Sequence, residues 1–274
     1  MRRIFLIASI FFLTALFVLV SCFSFLGWDL GLEQNVDFML EGPTWAHWFG
    51  RDILGRDLLL RVLLGGRVSL IVGLVCAVFS LLIGFFFGAI SGWNGGFVDR
   101  IMMRLLDVLT SIPSFILVAT LCLSVQTMVP IEDSFMKAFV SLCIGISATH
   151  WMGLARVTRS MVMEIKAKPF VEAAIALGGS RVHIICRHIL PNMVGTLIVL
   201  MALQIPTNIL YESFMSFIGL GIQPPFTSWG ILVREGWKTL SSFPHLILFP
   251  SAILFLTVWS FHIVLDAIKT KFRF

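Results

Sequence analysis

The chain has 274 residues, of which 58% are hydrophobic and only 13% charged, with a formal net charge of +5 and a mean hydropathy of +0.97. A soluble domain carries about 25% charged residues, so the composition excludes an ordinary soluble enzyme or nucleic-acid-binding domain and reads as a multi-pass, all-α membrane protein. Twenty-six Phe and eight Trp against one Tyr suit lipid-facing surfaces, not a base-stacking platform.

Arg2 and Arg3 precede an apolar run from Ile4 to Leu26. A run of that length is long for a signal-peptide core and meets the roughly 20 residues needed to span a bilayer. Residues 1–26 are therefore expected to form a first, retained transmembrane helix. Residues 27–67 follow as an extracytoplasmic segment. Within it, "GRDILGRDLLLRVLLGGR" carries Leu58, Leu59, Val62 and Leu63 as an apolar stripe. The pattern predicts a short amphipathic helix on the outer interface, ended by Gly65-Gly66, with Arg56 and Arg61 facing the interface. A soluble helix packed on the bundle fits the same pattern.

Residues 68–274 form the expected core. Further spans are predicted near Val68–Ile90, Ile101–Val125, Phe139–Leu154, Met193–Leu220 and Leu246–Ile268, six in all with the first. In the third span, Arg104 and Asp107 stand three apart and are expected to pair. With the N-terminus inside, thirteen of the 20 Lys and Arg fall in inner segments and seven in outer ones: Arg51, Arg56, Arg61, Arg67, Lys137, Arg234 and Lys238. Cytoplasmic loops carry the excess of basic residues, so both termini are expected in the cytoplasm.

One polar interruption, residues 164–191, lies on the inner side in this topology. Pro169 suits the first turn of a helix, Glu172 favours its N-terminus, and Gly178-Gly179 ends it. Phe170, Ala173, Ala174 and Leu177 fall at i, i+3, i+4 and i+7 and give one apolar face. Ser180 caps a second helix, expected to stop before Pro191. A first helix of only about 9 residues is marginal alone. Two short helices on a Gly-Gly elbow, with small residues on one face, read as a docking element.

The predicted fifth span is unusually polar, with Gln204, Pro206, Asn208 and Glu212. An unpaired acid there costs about 2.5–3.5 kcal/mol. Two readings stand: a water-filled path lined by Gln204, Asn208 and Glu212, or an interhelical polar contact that holds the bundle together. No GxxxxGK[ST] loop occurs, nor does any Gly-Lys dipeptide, so the chain lacks the usual means of using ATP. No HExxH, GxSxG or CxxC motif occurs either, so no catalytic residue and no metal site is assigned. His183 and His188 stand five apart, about 140° round an α-helix, and are expected to face different ways.

At this point "EAAIALGGSRVHIICRHILPN" resembles the EAA signature of bacterial ABC importer permeases, matched at Glu172, Ala173, Ala174, Gly178, Ile189, Leu190 and Pro191. "HWFGRDILGRDLLLRVLLGGRVSL", "GGFVDRIMMRLLDVLTSIPSF", "SFIGLGIQPPFTSWG" and "FPSAILFLTVWSFHIVLDAI" are similar to the C-type permease of dipeptide, oligopeptide and nickel importers. The resemblance implies a six-helix inner-membrane permease in a bacterial cytoplasmic membrane, paired with a B-type permease. Its EAA loop would be the coupling helix, with Phe170, Glu172, Ala173, Ala174, Leu177 and Gly178 against one or two cytoplasmic ATPases. Those ATPases, not this chain, would bind ATP and Mg²⁺, and an extracytoplasmic binding protein would deliver the ligand. The chain departs from the family at Leu-Gly-Gly, where Leu-Gly-Ala is common, and at Ser213, where Ala is common. Peptide is the leading ligand and nickel the alternative. An ion-coupled carrier working alone is the reading from another class; it predicts more buried acids or internal repeats, and neither is seen.

Overall fold

The computed structural model describes residues 2–25 and 33–272. Its helices are α1 (Arg2–Phe25), α2 (Leu58–Asn94), α3 (Gly96–Thr110), α4 (Ser114–Met128), α5 (Ser134–Lys166), α6 (Pro169–Ala176), α7 (Arg181–Ile184), α8 (Leu190–Ile218), α9 (Trp229–Lys238) and α10 (His245–Phe272). Among the described residues five segments are long and apolar enough to cross a membrane, and α3 with α4 form a pair bent by 89°. Counting that pair as one span gives up to six crossings.

The centre of the bundle is the pair α2 and α5, held by a seam of small residues. Gly84, Gly88 and Gly92 recur every fourth residue on one face of α2. A Cβ on Gly84 would lie 2.7 Å from Leu154 Cβ, one on Gly92 would lie 2.7 Å from the Arg159 carbonyl oxygen, and one on Gly88 would run into the Ala155 carbonyl. Ser80 and Ser147 continue the seam outward, each hydroxyl donating across it to a backbone carbonyl at 3.5 Å. In lipid no hydrophobic force draws apolar helices together, so close backbone approach at small residues supplies the packing.

The outer segment differs from its expected form. The predicted amphipathic helix is not a separate element. Asp57 caps α2, its carboxylate accepting from the Leu60 N–H at 2.9 Å, and the helix runs on for 37 residues. Gly65 and Gly66 are points of close approach and not a stop: their Cβ atoms would lie 3.0 Å from Ser228 and 2.8 Å from the Trp229 ring. The first ten residues of α2 therefore lie in the stretch expected to be an extracytoplasmic segment.

The expected third span is broken. Pro113 disfavours helix at the residue before it, and α3 turns sharply into α4 there. The expected Arg104–Asp107 pair does not form; Asp107 accepts from Arg156 of α5 at 2.9 Å instead. The fourth span, expected at Phe139–Leu154, runs from Ser134 to Lys166. Met1 and Leu26, at the ends of the expected first helix, lie outside the described residues.

The seam makes a quantitative prediction. Gly88→Ala should destabilise the permease by about 1–3 kcal/mol, the usual cost of overpacking, and Gly88→Val by more. Gly153, on the same pair of helices, has open space where a Cβ would go; Gly153→Ala should be neutral or stabilising, since Gly costs about 0.8–1.0 kcal/mol against Ala in a helix. Thermal unfolding of the detergent-purified variants measures both, and equal behaviour at the two positions would refute the seam.

Candidate functional site

The interruption at residues 164–191 folds as two short helices on an elbow. Lys168 takes an extended backbone before α6, with Pro169 in the first turn. Gly178 has φ +83°, a left-handed conformation that favours glycine. Its N–H donates to the Ile175 carbonyl at 3.0 Å and the Gly179 N–H donates to the Ala174 carbonyl at 3.1 Å, a Schellman end. Ser180 then caps α7, its hydroxyl accepting from the His183 N–H at 3.3 Å.

The unit does not hang free. Val171 and Ile184, at 0% and 1% exposure, join Ala89, Val162, Ile165, Ile189, Met193 and Leu197 in one cluster. The C-terminal ends of α2 and α5 and the N-terminal end of α8 thus form its seat. Lys166 Nζ donates to the Trp93 carbonyl at 2.7 Å and stands 5.1 Å from the Trp93 ring centre. Of the residues read as a docking face, Phe170, Glu172, Ala173, Leu177 and Gly178 are exposed and Ala174 is half-buried. Leu177 is 89% exposed and stands with Phe170, 43% exposed, on the outward side of the unit. Val171, the inward anchor, escaped the sequence reading because it lies between the recurring apolar positions.

Two expectations about the second short helix change. It does not stop before Pro191. A π-helical turn over Ile185–Ile189 follows α7, with the Leu190 N–H donating to the Ile185 carbonyl, and α8 continues directly. A proline ring clashes with the carbonyl four residues earlier in an α-helix, and the wider π turn relieves that clash. The same turn aligns residues five apart, so His183 and His188 do not face different ways. Their ring centres are 6.1 Å apart, with Phe170 6.5 Å from His188. Among the described residues no group of three or more His, Cys, Asp or Glu is placed to hold a metal.

The polar residues of α8 recur every fourth position: Gln204, Asn208, Glu212 and Ser216. Asn208 and Glu212 are 0% exposed. Glu212 accepts from Ser69 at 2.7 Å, from Ser216 at 2.8 Å and from Ser213 at 3.3 Å. Asn208 donates to the Gly73 carbonyl at 3.1 Å and contacts His150 Nδ1 at 2.5 Å. Gln204 donates to the His150 carbonyl at 3.0 Å. These side chains bind α8 to α2 and α5 within the subunit, so Asn208 and Glu212 line no open surface in it. Asn208 and Glu212 are satisfied by neighbours that the sequence reading did not pair with them, Ser69 and His150 above all, while Gln204 Oε1 is buried without a partner. The other side of α8 carries Leu210, Tyr211 and Phe214, which with Phe115 of α4 line a hollow of about 310 Å³. Ser114 and Tyr211 hydroxyls meet there at 2.6 Å.

Arg56 and Arg61 are also inside. They are 5% and 1% exposed, so neither faces an outer interface. Arg56 donates to Asp52 at 2.7 Å, and Arg61 donates to Asp52 at 2.7 Å and to Glu235 of α9 at 2.5 Å. Sequence spacing could not reveal Glu235 as a partner, since it lies 174 residues away. Asp52 and Glu235 offset the outer arginines that ran against the basic-inside bias.

A match to the family described as "Binding-protein-dependent transport system inner membrane component" covers residues 84–273. The chain is 41% identical over 239 residues to the oligopeptide transport system permease protein OppC of Haemophilus influenzae, covering 86% of this chain and 74% of that protein. It is 36% identical over 263 residues to the dipeptide transport system permease protein DppC of Bacillus subtilis, covering 96% and 79%. Among solved structures, the MetNI methionine ABC transporter aligns with a TM-score of 0.53 at 17% identity, over 77% of this chain and 97% of that one. An amino acid ABC transporter aligns with a TM-score of 0.56 at 15% identity, over 77% and 94%. These two show a shared fold.

The buried stripe predicts the order of its variants. Glu212→Leu leaves the Ser69 and Ser216 hydroxyls without their acceptor, at about 1–3 kcal/mol for an unsatisfied buried group. Glu212→Gln keeps an acceptor oxygen and should lose less. Yield and melting temperature of the purified subunit should fall in that order. Unchanged stability with lost transport would restore the path-lining reading.

Proposed function

Because the chain belongs to the family of binding-protein-dependent transport system inner membrane components, we propose that it is the C-type membrane permease of an ATP-driven importer of dipeptides or oligopeptides. The observation that carries the coupling role is the seated elbow. It is anchored inward by Val171 and Ile184 and presents Phe170 and Leu177 outward, on a chain without a phosphate-binding loop.

In this reading the elbow docks on one of one or two cytoplasmic ATPases, which hold ATP and Mg²⁺. The work of hydrolysis enters through α6 and α7 and reaches α5 and α8, whose inner ends form the seat. A B-type permease pairs with this chain, and the hollow beside Phe115 and Tyr211 faces the path between them. A binding protein delivers the peptide at the outer side. Peptide is supported by the names of the relatives. Nickel remains the alternative cargo, and the ligand retained by the copurified binding protein separates the two. Both termini and the elbow lie in the cytoplasm, as the basic bias supports.

Two experiments test this. A cysteine probe at Ser180 should react with an impermeant reagent only from the cytoplasmic side, and one at Trp45, 98% exposed, only from outside; swapped labelling would reverse the topology. Gly178→Val forces a β-branched residue into a left-handed backbone, at a cost of about 1 kcal/mol or more. A Cβ there meets no neighbour within 4 Å, so insertion and pairing should survive. ATP-driven uptake into vesicles should be lost, with the ATPases dissociated or hydrolysing without transport. Normal uptake would rule out the elbow as the coupling element.

A further inference from the structure

Helix α3 carries three distinct faces. Asp99 and Leu106 point into the bundle, 7% and 0% exposed. Phe97, Ile101, Leu105 and Val108 form an apolar stripe, 51–69% exposed. Arg100 and Arg104 are exposed along one edge of that stripe. At about 100° per residue, the apolar stripe stands nearly opposite the buried face, Arg100 lies about a quarter turn from each, and Arg104 borders the stripe beside Phe97.

The 89° bend into α4 fixes what these faces meet. If α4 crosses the bilayer, α3 lies along the membrane surface. A helix lying flat with the bundle on one flank presents its other flank at the same depth. Here that flank is apolar, with Arg104 on its water-side edge and Arg100 turned toward water. The bundle side is clamped: the Asp99 carboxylate accepts from Arg159 of α5 and from Ser91 of α2 at 2.5 Å. α3 therefore cannot roll its apolar stripe inward.

We propose that α3 is an interfacial helix whose apolar stripe contacts the acyl chains of cytoplasmic-leaflet phospholipids, with Arg100 and Arg104 at their phosphates. Charge selects this occupant. Long arginine stems run along apolar surface and bring their guanidinium groups to the headgroup level, and a flat helix with basic residues beside an apolar stripe is the form that binds a lipid surface. The assignment to the cytoplasmic leaflet rests on the orientation proposed above; the contact with lipid does not.

The test uses the whole transporter in phospholipid vesicles, with nitroxide labels at Val108→Cys or Ile101→Cys and at Arg104→Cys. Cys22 and Cys186 are the exposed cysteines among the described residues and are replaced by Ser. Labels at Val108 and Ile101 should collide with oxygen in preference to a water-soluble nickel chelate, and the label at Arg104 should show the reverse preference. Protection of the Val108 and Ile101 labels from both reagents would mean that protein covers the stripe, and nickel access at both would mean water; either overturns the proposal. Chelate confined to the side that labels Ser180 should reach Arg104. If it reaches Arg104 only from the Trp45 side while Val108 keeps its oxygen preference, the leaflet and topology are reversed and the lipid contact stands.

Discussion

The contact between α2 and α5 is the constraint on which the rest of the subunit depends. Gly84, Gly88 and Gly92 let the two backbones touch, and in a membrane such contact replaces the hydrophobic drive of a soluble core. The Gly92 end of the seam is also where other elements attach. Arg159 reaches from α5 to Asp99 of α3, and Lys166 reaches from α5 to Trp93 of α2. The elbow rests on side chains that these two helices supply with α8. A wider seam would separate the supports of the elbow as well as the helices themselves.

Polar groups in the interior do a different task from the glycines. They set register. Arg61 joins the outer segment to α9 through Asp52 and Glu235, and Glu212 joins α8 to α2 through Ser69. Buried ion pairs add little net stability because desolvation opposes them, but each leaves one partner costly to strand. A slide of α8 along α2 by a single turn would separate Glu212 from Ser69 and Asn208 from the Gly73 carbonyl together. The departure at Ser213 adds a further donor to the same carboxylate.

Hydropathy made the spans legible, because length and apolarity are summed over many residues and tolerate local error. The elbow was legible too, since proline, glycine and serine act on their own backbone: Gly178 is left-handed and Ser180 caps. Features that depend on distant partners were not. Glu235 cannot be matched to Arg61 by spacing, and Gly65-Gly66 has the form of a stop until Trp229 is seen packed on it. Some signals were present and unread. Pro113 marks the break between α3 and α4, and Gly84, Gly88 and Gly92 repeat at the four-residue interval of a packing face. The polar stripe on α8 was visible, but whether it met water or neighbours required the placement of Ser69 and His150.

The π turn before Pro191 has a mechanical consequence. It lets helix run unbroken from Arg181 to Ile218, 38 residues or about 57 Å of rod at 1.5 Å per residue. The second arm of the elbow is thus the tip of α8 and not an appendage to it. The first arm is joined to α5 through Ala167 and Lys168 and is seated by Val171. The elbow therefore closes a linkage of two long bars and one short crank, with Gly178 as its pin. Were the crank to turn, the spacing of the bars at that end would change, with the buried stripe of α8 as the fulcrum. The stripe lies near Ile218 and far from Arg181, so the elbow would hold the long arm of that lever, and a wide swing at the tip would become a smaller opposite displacement at the far end of the rod.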